Sequence, residues 1–158
     1  MIKEKKNKIL DKLNLDKLPF KVDETILREL GSDIAQDLRL VLGTINTSHS
    51  LKWCMSTVKK AKVFTLIYQA NETGSSIYKE EISKKLPEYS YKTIATIVDE
   101  GVERGFYIPK EPHLSKVNDK KIKNIRPSED VVVAFLNWNI ERIVKIENLI
   151  SKYKNLNQ

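Results

Sequence analysis

The segment after Pro127 carries apolar residues at helical spacing over its whole length, and this limits how the chain can fold. Ser128 and Glu129 suit the start of a helix, which we expect to continue to about Tyr153. The apolar residues form two neighbouring stripes, Val132, Leu136, Ile140, Ile143, Ile146 and Ile150 in the first and Val131, Phe135, Trp138 and Leu149 in the second. Two stripes exceed what one small domain needs to dock a helix, so residues 128–158 are predicted to be a C-terminal dimerisation helix.

Composition restricts both the fold class and the functional class. The chain has 158 residues, of which 41% are hydrophobic, but only 5 glycines and 5 prolines. We therefore expect a mainly α protein with a small β-hairpin rather than a loop-rich all-β chain. The single cysteine, Cys54, excludes an intramolecular disulfide, and with only His49 and His113 beside it the inventory for metal binding or histidine catalysis is poor. No nucleophile–base grouping or glycine-rich phosphate loop is present, so neither an enzyme nor a cofactor is expected.

The chain is basic, with 28 Lys and Arg residues against 21 Asp and Glu residues and a net charge of +7. This favours a polyanionic partner, because each neutralised phosphate releases condensed counterions. The positive charge is concentrated in residues 1–21 and 108–126. We interpret residues 1–22 as a basic N-terminal extension, in which 3–14 can form a short amphipathic helix. No apolar run reaches membrane-spanning length and the N-terminal residues MIKEKKNKIL lack the apolar centre of a signal peptide, so a cytoplasmic protein is expected.

Residues 23–56 are predicted to be an N-terminal helical dimerisation region. Asp23 is a plausible N-cap, and apolar residues recur three or four positions apart from Ile26 to Ile45, which places them on one helix face. Gly31 and Gly43 are expected to weaken this helix and to break it into pieces. The polar stretch 46–50 is predicted to be a bend.

Residues 57–127 contain the order of elements that points to a function. The first predicted element is a helix over 51–70, with Val58, Ala61, Phe64 or Leu66, and Ile67 inward. A short helix opened by Ser75 or Ser76 follows, then a turn at Pro87–Tyr89 and a helix over 90–104 that Gly105 ends. The last two elements are a strand at Phe106–Ile108 and a second strand in KIKNIRP. This order is typical of a winged helix-turn-helix DNA-binding domain. Its first two helices fix the third, whose N-terminal residues enter a major groove, while the basic hairpin reaches the flanking backbone or minor groove.

The residues of this region resemble the MarR family of bacterial transcription regulators (multiple-antibiotic-resistance regulators), from about Asp33 to Glu147. Ile77–Leu86 is similar to the first helix of the family's reading motif, Ser90–Tyr107 to its recognition helix and Asn118–Asp130 to its wing. The resemblance implies a homodimeric regulator that binds sequence-specifically to double-stranded DNA. It also implies a pocket for a small-molecule effector between the dimerisation helices and the reading domain, although no motif marks that pocket's residues.

The resemblance implies that the outward residues at the start of the recognition helix face the groove, and with the wing lysines this makes nine candidates for contact with DNA. They are Ser90, Tyr91, Lys92, Thr93 and Thr96 on the recognition helix and Lys116, Lys120, Lys121 and Lys123 on the wing. Threonine can contact a thymine methyl or donate a hydrogen bond, and lysine can reach a guanine edge or a phosphate. For Ser90 alone, capping of the helix is the favoured interpretation. A two-fold dimer would present two such helices to an inverted-repeat operator whose half-site centres lie roughly 10 base pairs apart.

Three departures from the family pattern affect this interpretation. Lysine replaces arginine at Lys120 and Lys121, which removes bidentate geometry and favours point-charge contact with phosphate. Gly101 stands where a large apolar residue is usual, so another helix is expected to approach closely there. The distal part of the recognition helix, 99–104, is mostly acidic, so only its first two turns are expected to meet DNA.

Two other classes of function remain open at this point. A winged helix can serve as a protein–protein interaction module without sequence-specific DNA binding, with the basic hairpin on an acidic partner. A basic helical protein on an anionic membrane surface would depend on residues 1–14 only. Salt-sensitive binding to duplex DNA with one preferred sequence separates the DNA-binding class from the other two. A redox role for Cys54 is disfavoured, since nothing in the sequence indicates an exposed thiol with a lowered pKa.

Overall fold

A computed structural model of the chain describes residues 9–75, 77–109 and 124–157. The elements, in chain order, are a 3-10 turn at Leu15–Lys17, α1 (Glu24–Ile45), α2 (His49–Cys54), α3 (Val58–Glu72), α4 (Lys79–Lys85), α5 (Tyr91–Glu103), β1 (Tyr107–Pro109), β2 (Ile125–Pro127) and α6 (Glu129–Leu156). The expected class, mainly α with a small antiparallel β-sheet, is confirmed. The wing residues Lys116, Lys120, Lys121 and Lys123 lie outside the described residues.

The chain divides into two compact units. The described residues up to Ile45 and from Asn137 onward form the first unit, and those from Asn46 to Leu136 form the second. None of the helices in residues 9–75, 77–109 and 124–157 combines the length and the apolar character needed to cross a membrane.

In the first unit, α1 is one continuous helix. Its N-cap is Asp23, as predicted, whose carboxylate accepts a hydrogen bond from the Ile26 amide at 2.8 Å. The expected breaks at Gly31 and Gly43 are wrong, because α1 passes through both positions. A glycine costs a helix only about 1 kcal/mol relative to alanine, which neighbouring anchors such as the buried Val41 can offset.

The first unit is tied together by polar contacts between α1 and the distal part of α6. The Trp138 indole donates a hydrogen bond to the Val41 carbonyl at 3.0 Å. The Tyr153 hydroxyl donates to the Asp33 carboxylate at 2.6 Å, and the Lys152 ammonium lies 2.7 Å from the same oxygen. These hydrogen bonds, the one from Lys152 first, lower the pKa of Asp33. The stripe on α6 is largely exposed in the single chain, with Ile143 at 63%.

The second unit has a contiguous apolar core, to which α3, α4, α5, both strands and the start of α6 contribute. Its fully buried members include Val63, Phe64, Ile67, Ile82, Ile94, Val98 and Val131.

The predicted helix over 51–70 is two helices, because the Thr57 side chain caps a new one by accepting from the Lys60 amide at 3.2 Å. Val58 is consequently the first residue of α3 and is 67% exposed, so its predicted inward position is wrong. The predicted bend at 46–50 ends early, since Ser48 caps α2.

The small sheet fixes the entry to α4 and the exit from α5. Strands β1 and β2 pair antiparallel, with Ile108 opposite Arg126, and Ile77 forms an isolated antiparallel bridge to Ile125. Ile77 is therefore extended, and α4 begins at Lys79 rather than at Ser75 or Ser76 as predicted. Bridging to Ile125 satisfies the Ile77 carbonyl, which accepts from the Ile125 amide at 2.9 Å.

The close approach expected at Gly101 occurs, but the partner is a strand residue and not another helix. The ring of Tyr107, in β1, lies so near that a Cβ atom at Gly101 would overlap with it. Gly105 allows the chain to turn between the end of α5 and β1, because its backbone has φ of 77°, a conformation that favours glycine. Tyr107 thereby reaches the core, where only 1% of its surface is exposed.

Candidate nucleic-acid interface

The first two turns of α5 bring together all five candidate residues that sequence reasoning placed there. Ser90, Tyr91, Lys92 and Thr96 are exposed, and Thr93 is half-buried. Ser90 is the N-cap, as favoured from the sequence: its hydroxyl oxygen accepts from the Thr93 amide at 3.1 Å and lies 2.9 Å from the Thr93 hydroxyl.

The opposite face of α5 anchors the helix to the core. Ile94 and Val98 are fully buried and Ile97 nearly so. These three residues follow the helical period, so the exposed residues are held on the side directed away from the core. The described part of the second unit thus presents the start of α5 on a packed apolar core.

Like Ser90, the exposed side chains of Tyr91 and Thr96 have hydrogen-bond partners within the protein. The Tyr91 hydroxyl donates to the Glu80 carboxylate at 3.3 Å, and the Thr96 hydroxyl donates to the Lys92 carbonyl at 2.8 Å. Desolvation, followed by the charge of Glu80, raises the pKa of Tyr91. The Thr96 hydroxyl oxygen keeps acceptor capacity and the residue is exposed, so its side chain can still contact a base edge.

Two of the acidic residues in the distal half of α5, Asp99 and Glu100, contact neighbouring side chains. Asp99 forms an ion pair with Lys79 of α4. Glu100 accepts a hydrogen bond from the Trp53 indole at 3.2 Å and pairs with Arg104 at 3.1 Å. The indole hydrogen bond is the largest cause of a lowered pKa at Glu100. These contacts link α5 to α2 and α4, although Asp99 and Glu103 remain exposed.

A group of basic residues beside the start of α5 was missed by sequence reasoning. The ammonium groups of Lys59 and Lys62 lie 5.9 and 5.7 Å from the ring centre of Tyr89, the residue before the Ser90 cap. Lys62 also pairs with Glu88 at 2.9 Å, which raises the pKa of Lys62 and lowers that of Glu88. The available signal was the spacing of Lys59 and Lys62, which puts both on one face of α3.

Cys54 gives no support for a redox centre, and His113 lies outside the described residues. Cys54 is fully buried, its sulfur lies 3.9 Å from the Tyr107 hydroxyl, and burial raises its pKa to about 11. A protonated, inaccessible thiol is a poor nucleophile. Among the described residues, no group of three or more His, Cys, Asp or Glu side chains is arranged to hold a metal ion.

Comparison of the chain with protein-family models, with curated proteins and with solved structures gave no match.

Proposed function

We propose that the protein is a sequence-specific regulator of transcription that binds double-stranded DNA as a homodimer. In this proposal the unit from Asn46 to Leu136 is a winged helix-turn-helix, with α4 and α5 as its two reading helices. The observation that carries the proposal is the start of α5, where exposed Tyr91, Lys92 and Thr96 stand opposite the buried Ile94 and Val98. A helix anchored in this way can insert its first turns into a major groove.

The charge of the chain and the antiparallel sheet add support. A net charge of +7 favours association with a polyanion. Strands β1 and β2 flank residues 110–123, the segment predicted to be the tip of a basic wing, and the exposed Arg126 lies in β2. In the proposal, Lys116, Lys120, Lys121 and Lys123 contact flanking phosphates, and the regulator acts in the cytoplasm without a cofactor.

Selection from random duplex DNA tests this function directly. The purified protein should enrich one inverted repeat whose half-site centres lie roughly 10 base pairs apart, because a two-fold dimer presents its reading helices to successive major grooves. Thr96→Ala or Lys92→Ala should then change the preferred base at one position of each half-site by roughly 1–3 kcal/mol.

A matched control is Thr65→Ala. Thr65 is an exposed threonine in α3 whose hydroxyl donates to the Lys62 carbonyl at 3.0 Å, just as Thr96 donates to the Lys92 carbonyl. This control should leave sequence preference unchanged. Enrichment of no motif, with duplex binding that ignores sequence, would contradict the proposal and favour a winged-helix module for protein contacts.

A further inference from the structure

We propose that Lys59 and Lys62, gathered over the ring of Tyr89, form a contact with the DNA backbone beside the groove-reading turn of α5. The inference rests on the proposed function and names a part of the interface that the sequence did not indicate. Its geometric basis is the position of Tyr89, which directly precedes the Ser90 cap and packs partly buried against the core.

The aromatic ring positions the two ammonium groups without neutralising them. Both lie within about 6 Å of the ring centre, the range in which the negative face of an aromatic ring attracts a cation. Because the phenol ring has no net charge, Lys59 keeps its full charge for an external anion. The ammonium groups of two lysines from one helix face thus lie near the same ring, that of the residue before the Ser90 cap.

The one carboxylate in this group is an exchangeable partner. Glu88 and Lys62 are about half exposed, 43% and 46%, so their ion pair competes with water and contributes little to stability. A phosphate can therefore replace Glu88 as the partner of Lys62 with little loss of folding stability. Exposed Lys84 and Lys85 in the last turn of α4 and exposed Lys92 in α5 increase the positive charge of the segments that meet at this turn.

A phosphate contact and a base contact have different signatures. Phosphates carry no sequence information, so their loss weakens binding to every duplex and leaves base preference intact. Each lost phosphate contact also makes the negative slope of log K against log salt concentration shallower by about 0.9. The substitution Lys59→Gln with Lys62→Gln should therefore reduce the magnitude of the slope by about 1.8, and the ratio of affinities for selected and scrambled duplexes should stay the same.

The measurement is fluorescence anisotropy of the full chain with a selected duplex and a scrambled duplex over a series of salt concentrations. The control is Lys52→Gln with Lys154→Gln, which removes the same charge at exposed positions of α2 and α6. It should leave the slope near that of the unchanged protein. A thermal melt of each variant checks that it is folded.

The substitution Glu88→Gln gives a prediction of the opposite sign. It removes the carboxylate that competes with phosphate for Lys62, so it should tighten binding to both duplexes, whereas Glu147→Gln in α6 should not. An unchanged slope in the Lys59/Lys62 variant, or an equal loss in the Lys52/Lys154 control, overturns this inference alone. Absence of duplex binding by the unchanged protein overturns the proposed function as well.

Discussion

At the scale of single residues, Gly101 and Tyr107 determine how closely β1 approaches α5. The Tyr107 ring lies against the backbone of Gly101, and its hydroxyl lies 3.9 Å from the Cys54 sulfur. Burial is the main reason that the pKa of Tyr107 is raised well above its usual value. The ring also meets Trp53 edge to face, with 6.1 Å between centres. One missing Cβ atom thus allows a large aromatic side chain to join α5 to the rest of the core.

The substitution Gly101→Ala is expected to destabilise the protein although alanine is the better helix former. The new methyl group would overlap with the rigid Tyr107 ring, and overpacking of a core costs about 1–3 kcal/mol. The free energy of unfolding, measured with urea, should fall by about that amount. The control is Gly31→Ala in α1, where no heavy atom lies within 4 Å of the added Cβ. It should raise stability by up to about 1 kcal/mol. A Gly101→Ala protein as stable as the unchanged one would show that the strand can move away.

At the scale of elements, Ser90 has two separable roles in α5, as a cap and as a candidate DNA contact. Ser90→Ala removes the hydrogen bond to the Thr93 amide and should lower stability by about 1 kcal/mol. Ser90→Asp keeps a cap but adds a negative charge at the position where, in the proposed regulator, DNA phosphates approach. We expect Ser90→Asp to melt near the temperature of the unchanged protein and yet to bind duplex DNA more weakly than Ser90→Ala. Thermal melts and duplex titrations measure the two effects, and equal DNA binding by both variants would leave Ser90 with the cap role only.

The elements that were predictable from the sequence are those defined by local chemistry. The caps at Asp23 and Ser90 and the inward face at Ile94 and Val98 follow from residue type and helical period, and they are confirmed. The extended state of Ile77 was not predictable, because it depends on pairing with Ile125 far along the chain.

The residues of the candidate site also divide into those that local sequence patterns predict and those that only the folded chain brings together. Residues of one helix, such as Lys92 and Thr96, could be predicted as one group because helical spacing places them on the outward face of α5. Lys59 and Tyr89 meet only because α3 lies beside the turn before α5, and no local pattern encodes that contact. The break before Val58 was missed because apolar residues continue at helical spacing on both sides of it. There the Thr57 side chain accepts a hydrogen bond from the Lys60 amide, and this cap competes with continuation of the preceding helix.

At the scale of the whole molecule, the open question is what covers the apolar surface of the first unit. Large apolar side chains are exposed on both of its long helices, among them Leu38 on α1 at 53% and Ile140 on α6 at 56%. Apolar surface gains roughly 25 cal/mol per Å² when it is removed from water, so this surface favours association. In the proposed regulator its occupant is a second copy of the chain, because symmetric dimers are the commonest oligomers and an inverted-repeat site requires two readers.

The proposed dimer predicts a change of mass for one substitution and not for its control. Ile143 is 63% exposed on α6, so Ile143→Asp should leave the fold of each copy intact but place a buried carboxylate in the interface, where an unpaired charge is strongly unfavourable. Light scattering at micromolar concentration should give the mass of two chains for the unchanged protein and of one chain for this variant. Val58→Asp changes a 67% exposed residue of α3 in the same way and should remain a dimer. If Val58→Asp also gave the mass of one chain, or if the unchanged protein did, the apolar stripe of α6 would not be the dimer interface.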